Sequence, residues 1–139
     1  RALVRGCDLP DHLVIDVPIG PIEDVVMGRL HAATSSGRPA RSIVTVVERR
    51  PAQNATVVDV EIPTGRPHQI RIHLAAAGHP LLGEPLYGEG GQPLRDGGTA
   101  RPGEIGYRLH AHRLAVDTAA GRAQLYCRPP SCLRSSSED

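Results

Sequence analysis

An α+β fold, mostly antiparallel β-sheet with one clear helix, is predicted by two features of this 139-residue chain. Two neighbouring runs, Ser42–Arg49 and Ala55–Ile62, are rich in β-branched residues, and the connection between them is hairpin-sized. One segment only, Pro67–Ala77, changes to a helical period. The length suits a single domain. The chain has three Tyr, no Phe and no Trp, so any core is built from Val, Ile, Leu and Ala.

The elements follow in order. Ala2–Arg5 reads as a short strand ended by Gly6. His12–Val17 is a second extended piece, stopped by Pro18 and Gly20. Residues 22–33 are ambiguous. TSSGRP, residues 34–39, is a turn. Ser42–Arg49 and Ala55–Ile62 are strands, the latter alternating Val58, Val60 and Ile62 with Asp59 and Glu61. PHQIRIHLAAA, residues 67–77, reads as a helix with Pro67 in its first turn and Ile70, Leu74 and Ala77 on one stripe. Gly78 is its expected stop, and Pro80 forbids continuation. Residues 83–106, rich in Gly and Pro, form a long loop. Leu109–Val116 and Ala123–Cys127 make a last hairpin around Thr118–Gly121. Residues 135–139 are expected to be a disordered tail, which leaves 1–134 as the domain.

All 16 basic residues are Arg. With no Lys, Schiff-base chemistry and a P-loop lysine are excluded. No apolar run approaches the roughly 18 residues of a membrane span. Three cysteines without a CxxC pair argue against a disulfide framework and fit a reducing cytoplasm. The net charge of +1 is modest, but its distribution is uneven. Residues 29–71 hold seven Arg against Glu48, Asp59 and Glu61, and residues 95–134 hold seven against Asp96, Glu104 and Asp117. These blocks either converge on an anion-binding cleft or are ordinary solvated charge.

The densest polar cluster is TGRPHQIRIH, residues 64–73. Arg forks match phosphate or carboxylate oxygens, and a helix start adds free N–H groups. At 100° per residue, His68 and Arg71 share one face while Gln69 and His73 share another. One pair is expected to face a cleft and the other to brace a neighbouring loop. His68, His73, His79, His110 and His112 raise the question of a metal. No spacing matches HExxH, so no metal centre is expected.

The run TGRPHQIRIHLAAAGHPLLGEPLYG, residues 64–88, closely resembles the third motif of the RluA-type RNA pseudouridine synthases. The likeness continues in ALVRG (2–6), IDVPIG (15–20), GRPARSIVTVVER (37–49), LHAHRL (109–114) and YCRPP (126–130). The resemblance implies an isomerase that converts uridine in ribosomal or transfer RNA to pseudouridine. No cofactor is implied, and a cytoplasmic monomer is expected. It implies a flipped-out target base. It also implies that Arg71 pairs with the family's catalytic aspartate, keeping that carboxylate ionised. Arg66, His68, Gln69, His73, Tyr87, His110 and Arg113 are the expected substrate or RNA contacts.

The family's aspartate pattern, RLD followed by TSG, is not found in this sequence. It is expected upstream of the strand that ALVRG matches, so the chain reads as truncated before it and inactive alone. The alternative is a non-catalytic RNA-binding remnant. GRLHAATSSG, residues 28–37, looks superficially similar but carries His31 in place of the aspartate and reads as a linker. Asp8, Asp11, Asp16 and Asp24 lack motif support. Glu84 stands where the family usually has Asp, a change expected to be tolerated if the side chain braces the loop.

Overall fold

The computed structural model describes residues 1–24, 27–96 and 106–138. Its centre is a four-stranded sheet made of β1 (Ala2–Arg5), β2 (His12–Asp16), β5 (Arg41–Arg50) and β6 (Ala55–Glu61), in the order β1-β6-β5-β2. Every pair in it is antiparallel. The register of β5 against β6 shifts between Val46 and Glu48, a bulge that re-aims the following side chains.

The period of two sorts the strands into faces. Ala2, Val4, Ile15, Val44 and Val58 point to one side and bury there with Leu74 and Leu81. Leu3, Ala55 and Val57 point to the other side and are covered by Leu133, with Val47, Leu82 and Cys132 around them. Aliphatic side chains therefore build both cores, as the missing Phe and Trp require.

The helix α1 spans Gln69–Ala76, shorter than the sequence reading at each end. Its predicted stripe packs on the sheet: Leu74 is fully buried in that cluster, and Ile70 and Ala77 lie against it. A second stripe, Ile72 and Ala75, faces away from the sheet and packs with Ile19, Ala40, Leu86 and Tyr87. Gly78 closes the helix in the left-handed region, at φ 84°. The Gly78 N–H bonds the Ala75 carbonyl and the His79 N–H bonds the Leu74 carbonyl, both orphaned by the helix end.

The ambiguous segment is a hairpin, β3 (Ile19–Asp24) with β4 (Gly28–Ala33). This corrects the linker reading of residues 28–37, because Gly28–Ala33 is strand and only Thr34–Gly37 turns. Leu30 and Ala33 pack on the second helix stripe, a surface that local periodicity does not reveal.

The closing hairpin is β7 (Arg113–Thr118) with β8 (Gly121–Tyr126). Leu109, expected to begin it, instead makes a bridge to Ala2 at the edge of β1. Both strands are exposed throughout, with Leu114 at 55%, Leu125 at 62% and Tyr126 at 64%. The predicted loop at 83–106 is described as far as Asp96 and again from Gly106, and its remainder lies outside the described residues.

Residues 135–138, expected to be disordered, are docked. Glu138 accepts from Arg1 and from the Ser135 N–H, and Glu48 accepts from the Ser136 hydroxyl and N–H and from Arg50. Those bonds hold both carboxyls down, each at about 2. No helix among the described residues is long and apolar enough to cross a membrane.

Candidate functional site

The polar segment before and within α1 divides as helical geometry requires. Gln69 and His73 face the sheet, while His68 and Arg71 face the loop that follows the helix.

Gln69 and His73 are closed off, at 3% and 0% exposure. Gln69 Nε2 donates to the Ser42 hydroxyl and to the Arg41 carbonyl, while its Oε1 accepts from the Thr64 hydroxyl and the Arg66 N–H. His73 Nε2 lies 2.8 Å from the Val17 carbonyl, which can only accept, so Nε2 carries the proton. Nδ1 then accepts from the Ser42 hydroxyl at 2.8 Å. Burial lowers the His73 pKa, which agrees with this neutral tautomer. Gln69 and His73, expected to contact RNA, turn away from the surface. Their polar atoms are spent on β5 and the segment after β2, so they brace the site from behind.

On the other face, Arg71, expected to pair with the family's catalytic aspartate, pairs with Glu84. Its Nε donates to Glu84 Oε2 at 2.9 Å and its Nη2 to Glu84 Oε1 at 2.5 Å, a bidentate fork. The two side chains are 9% and 1% exposed. Burial opposes the Arg71 charge, but the Glu84 bonds outweigh it and raise the pKa. Glu84 Oε1 also accepts from the Leu86 and Tyr87 N–H groups, so it does brace the loop, and it holds Arg71 as well.

Two rings flank the guanidinium. Its Cζ lies 4.2 Å from the Tyr107 centroid and 5.1 Å from that of Tyr87. Both contacts are cation–π in kind. Tyr87 is itself buried, and burial pushes its hydroxyl up to about 12. Its O–H donates to the His31 carbonyl at 2.8 Å. That spends its one proton, so the 2.7 Å contact to His68 Nδ1 has the imidazole as donor. Tyr87 is therefore a packing and orienting residue, with no surface left for a substrate.

His68 is set differently. It adopts the left-handed region at φ 54°, an uncommon conformation outside glycine, immediately before the helix. Its exposed ring is turned by the Tyr87 bond so that neutral His68 presents Nε2 as an acceptor. Burial and the nearby Arg71 charge lower its pKa, favouring that neutral form. A strained residue whose ring is fixed at one nitrogen, and at the other makes no hydrogen bond among the described residues, is the pattern of a positioned acceptor.

Tyr107 opens onto a groove of about 1420 Å³ that Ile70, Asp59, His110 and Arg113 also line. Sequence reading missed Tyr107 and Ser42. Tyr107 carried one available signal: in a chain with three aromatic residues, each tyrosine is a candidate. Arg66 lies outside this groove, with its Nε on the Pro39 carbonyl at 3.1 Å. Among the described residues, no group of three or more His, Cys, Asp or Glu side chains is placed to hold a metal ion.

Known proteins resemble this chain in sequence and in fold. The family model described as RNA pseudouridylate synthase matches residues 7–76. RNA pseudouridine synthase 5 of Oryza sativa is 48% identical over 136 aligned positions, covering 84% of this chain and 34% of the relative. An uncharacterised RNA pseudouridine synthase of Synechocystis is 47% identical over 114, covering 82% and 38%. The chain thus spans little more than a third of these relatives. The solved structure of human RNA Pseudouridylate Synthase Domain Containing 1 superposes with a TM-score of 0.73 at 25% identity, over 96% of this chain and 55% of that one.

Proposed function

The chain belongs to the RNA pseudouridylate synthase family, and on that premise we propose that it forms the arginine side of a uridine-isomerising site and binds RNA without turnover when alone. In the reaction of that family, the bond from ribose C1′ to uracil N1 breaks and a bond from C1′ to C5 forms. The proton on C5 is lost and N1 gains one. A reactive carboxylate beside C1′ is needed, together with a cation that keeps it ionised.

One observation carries the reading. Arg71 is fixed on three sides, by the two Glu84 bonds and the two tyrosine rings, while its Nη1 makes no hydrogen bond among the described residues. That leaves one edge for a further acceptor. Glu84 is not available as the reactive group. It is 1% exposed at its side chain and already accepts from Arg71 and from two backbone N–H groups. His68 Nε2 is the acceptor placed to meet an N–H of a bound base. With Glu84 engaged in this way, RNA binding without turnover is the reading proposed for the chain alone.

The reading extends to ribosomal or transfer RNA as substrate. A cytoplasmic location is part of the same proposal, with Cys7, Cys127 and Cys132 as thiols.

The test is an RNA labelled with tritium at uridine C5, which isomerisation releases to water. The chain alone is expected to bind this RNA and release no tritium above background. Release would overturn the assignment of Glu84 as a spent carboxylate, and a failure to bind would overturn RNA as the partner.

A further inference from the structure

The basic block at residues 29–71 does not gather at Arg71. Arg29, Arg38 and Arg66 line a separate recess of about 500 Å³, together with His31. That volume is typical of a ligand site. Ile19, Gly20 and Gly37 also line it. Among the described residues, no carboxylate lines it. Glu23 stands opposite Arg29 in the β3–β4 register but lies outside the recess and forms no ion pair with it. Arg66 donates its Nε to the Pro39 carbonyl, and among the described residues its Nη groups make no hydrogen bond.

The recess is a built feature. Arg29 and His31 are two apart on β4 and share a face. Arg38 is tied to Ile19 by two backbone bonds of 3.0 and 2.9 Å. Gly37 presses so closely on β3 that a Cβ there would lie 2.5 Å from the Ile19 carbonyl carbon. Three guanidiniums around one concavity, with no counter-charge in it, repel each other until an anion enters. Guanidinium forks suit the oxygens of phosphate.

The recess also adjoins the Arg71 site. The His31 carbonyl receives the Tyr87 hydroxyl, and Pro67, which lines the recess, precedes His68. We propose that this recess is a phosphodiester subsite, holding the backbone of the RNA strand beside the nucleotide that reaches His68 and Arg71. The proposal rests on the RNA reading above and assigns Arg29, Arg38 and Arg66 to it.

The test uses the chain with two probes, a short oligouridylate and inorganic pyrophosphate, followed by amide NMR at Gly20, Gly37 and Gly65. Oligouridylate is expected to shift all three amides. The slope of log K against log salt is expected to fall by about 0.7 in Arg29→Gln and again in Arg38→Gln. Arg49→Gln removes a guanidinium outside the recess, already paired with Asp11, and is expected to leave the slope unchanged. Unperturbed spectra elsewhere establish that the variants are folded. Oligouridylate binding with an unaltered slope in Arg29→Gln and Arg38→Gln would overturn the subsite and leave the RNA reading standing. Shifts with pyrophosphate alone would overturn RNA as the source of the phosphate. Silence with both probes would overturn the recess as an anion site.

Discussion

Arg71 and Glu84 form a two-bond ion pair across the turn that follows α1, with side chains only 9% and 1% exposed. The pair links the helix to the loop carrying Tyr87, so one contact sets the guanidinium, the loop backbone and the ring beside them. A buried pair of this kind adds little net stability over an apolar pair, yet breaking it leaves an uncompensated charge.

Glu84→Ala is therefore expected to cost about 3–5 kcal/mol. Replacing both partners together, Arg71→Met with Glu84→Leu, is expected to recover most of that loss. Urea unfolding of the single and double variants checks both. A double variant as unstable as Glu84→Ala would show that the loss lies in packing, not in the stranded charge.

Among the described residues, Tyr107 meets Arg71 through its ring face. Tyr107→Phe is expected to keep stability within error, and Tyr107→Ala to lose about 0.5–1 kcal/mol. RNA affinity is expected to follow the same order, because the ring also faces the groove. Equal losses in Phe and Ala would assign the effect to the hydroxyl.

Ser42 relays between two buried side chains, accepting from Gln69 and donating to His73. Ser42→Ala leaves both short of a partner and is expected to destabilise the chain by about 1–3 kcal/mol. Hydrogen exchange in the first turn of α1 should quicken in parallel.

His73 is neutral in the fold, and its lowered pKa has a defined consequence. Below the ordinary histidine value the unfolded chain binds a proton that the folded chain does not, so stability is full above about pH 6.5 and falls as pH drops through it. The loss is expected to approach about 1 kcal/mol over the first pH unit below that point. His68 and His112 shift in the same direction and add to the slope. Urea midpoints at about pH 7.5 and about pH 5.5 measure it, with His73→Gln expected to flatten the dependence. Stability that rises on acidification would mean that His73 is charged in the fold.

Gly37→Ala is expected to destabilise by about 1–3 kcal/mol, because its Cβ meets the Ile19 backbone and no flexible side chain can yield. A thermal melt checks this, and any loss of oligouridylate binding should accompany it.

Much of this architecture was legible before any coordinates. β-Branched alternation marks β5 and β6, since a period of two is a local property of the chain. The stripe Ile70, Leu74 and Ala77 marks the sheet-facing side of α1, and Gly78 marks its end. The split of His68 and Arg71 from Gln69 and His73 also follows from helical geometry alone. The hairpin β3–β4 was not legible. Its stability comes from Leu30 and Ala33 against Ile72 and Ala75, residues far apart in the chain. The docking of Ser135–Glu138 on Arg1 and Glu48 was hidden for the same reason.

The residues themselves determined the family, the sheet strands and the single helix, because those depend on patterns a few positions long. Only the tertiary structure decided what Arg71 pairs with. Whether a guanidinium is free or bound depends on which carboxylate the fold carries to it, and Glu84 arrives from 13 positions along the chain, across a turn. The same is true of the basic recess, where Arg29, Arg38 and Arg66 meet because a hairpin, a turn and a helix approach converge in space.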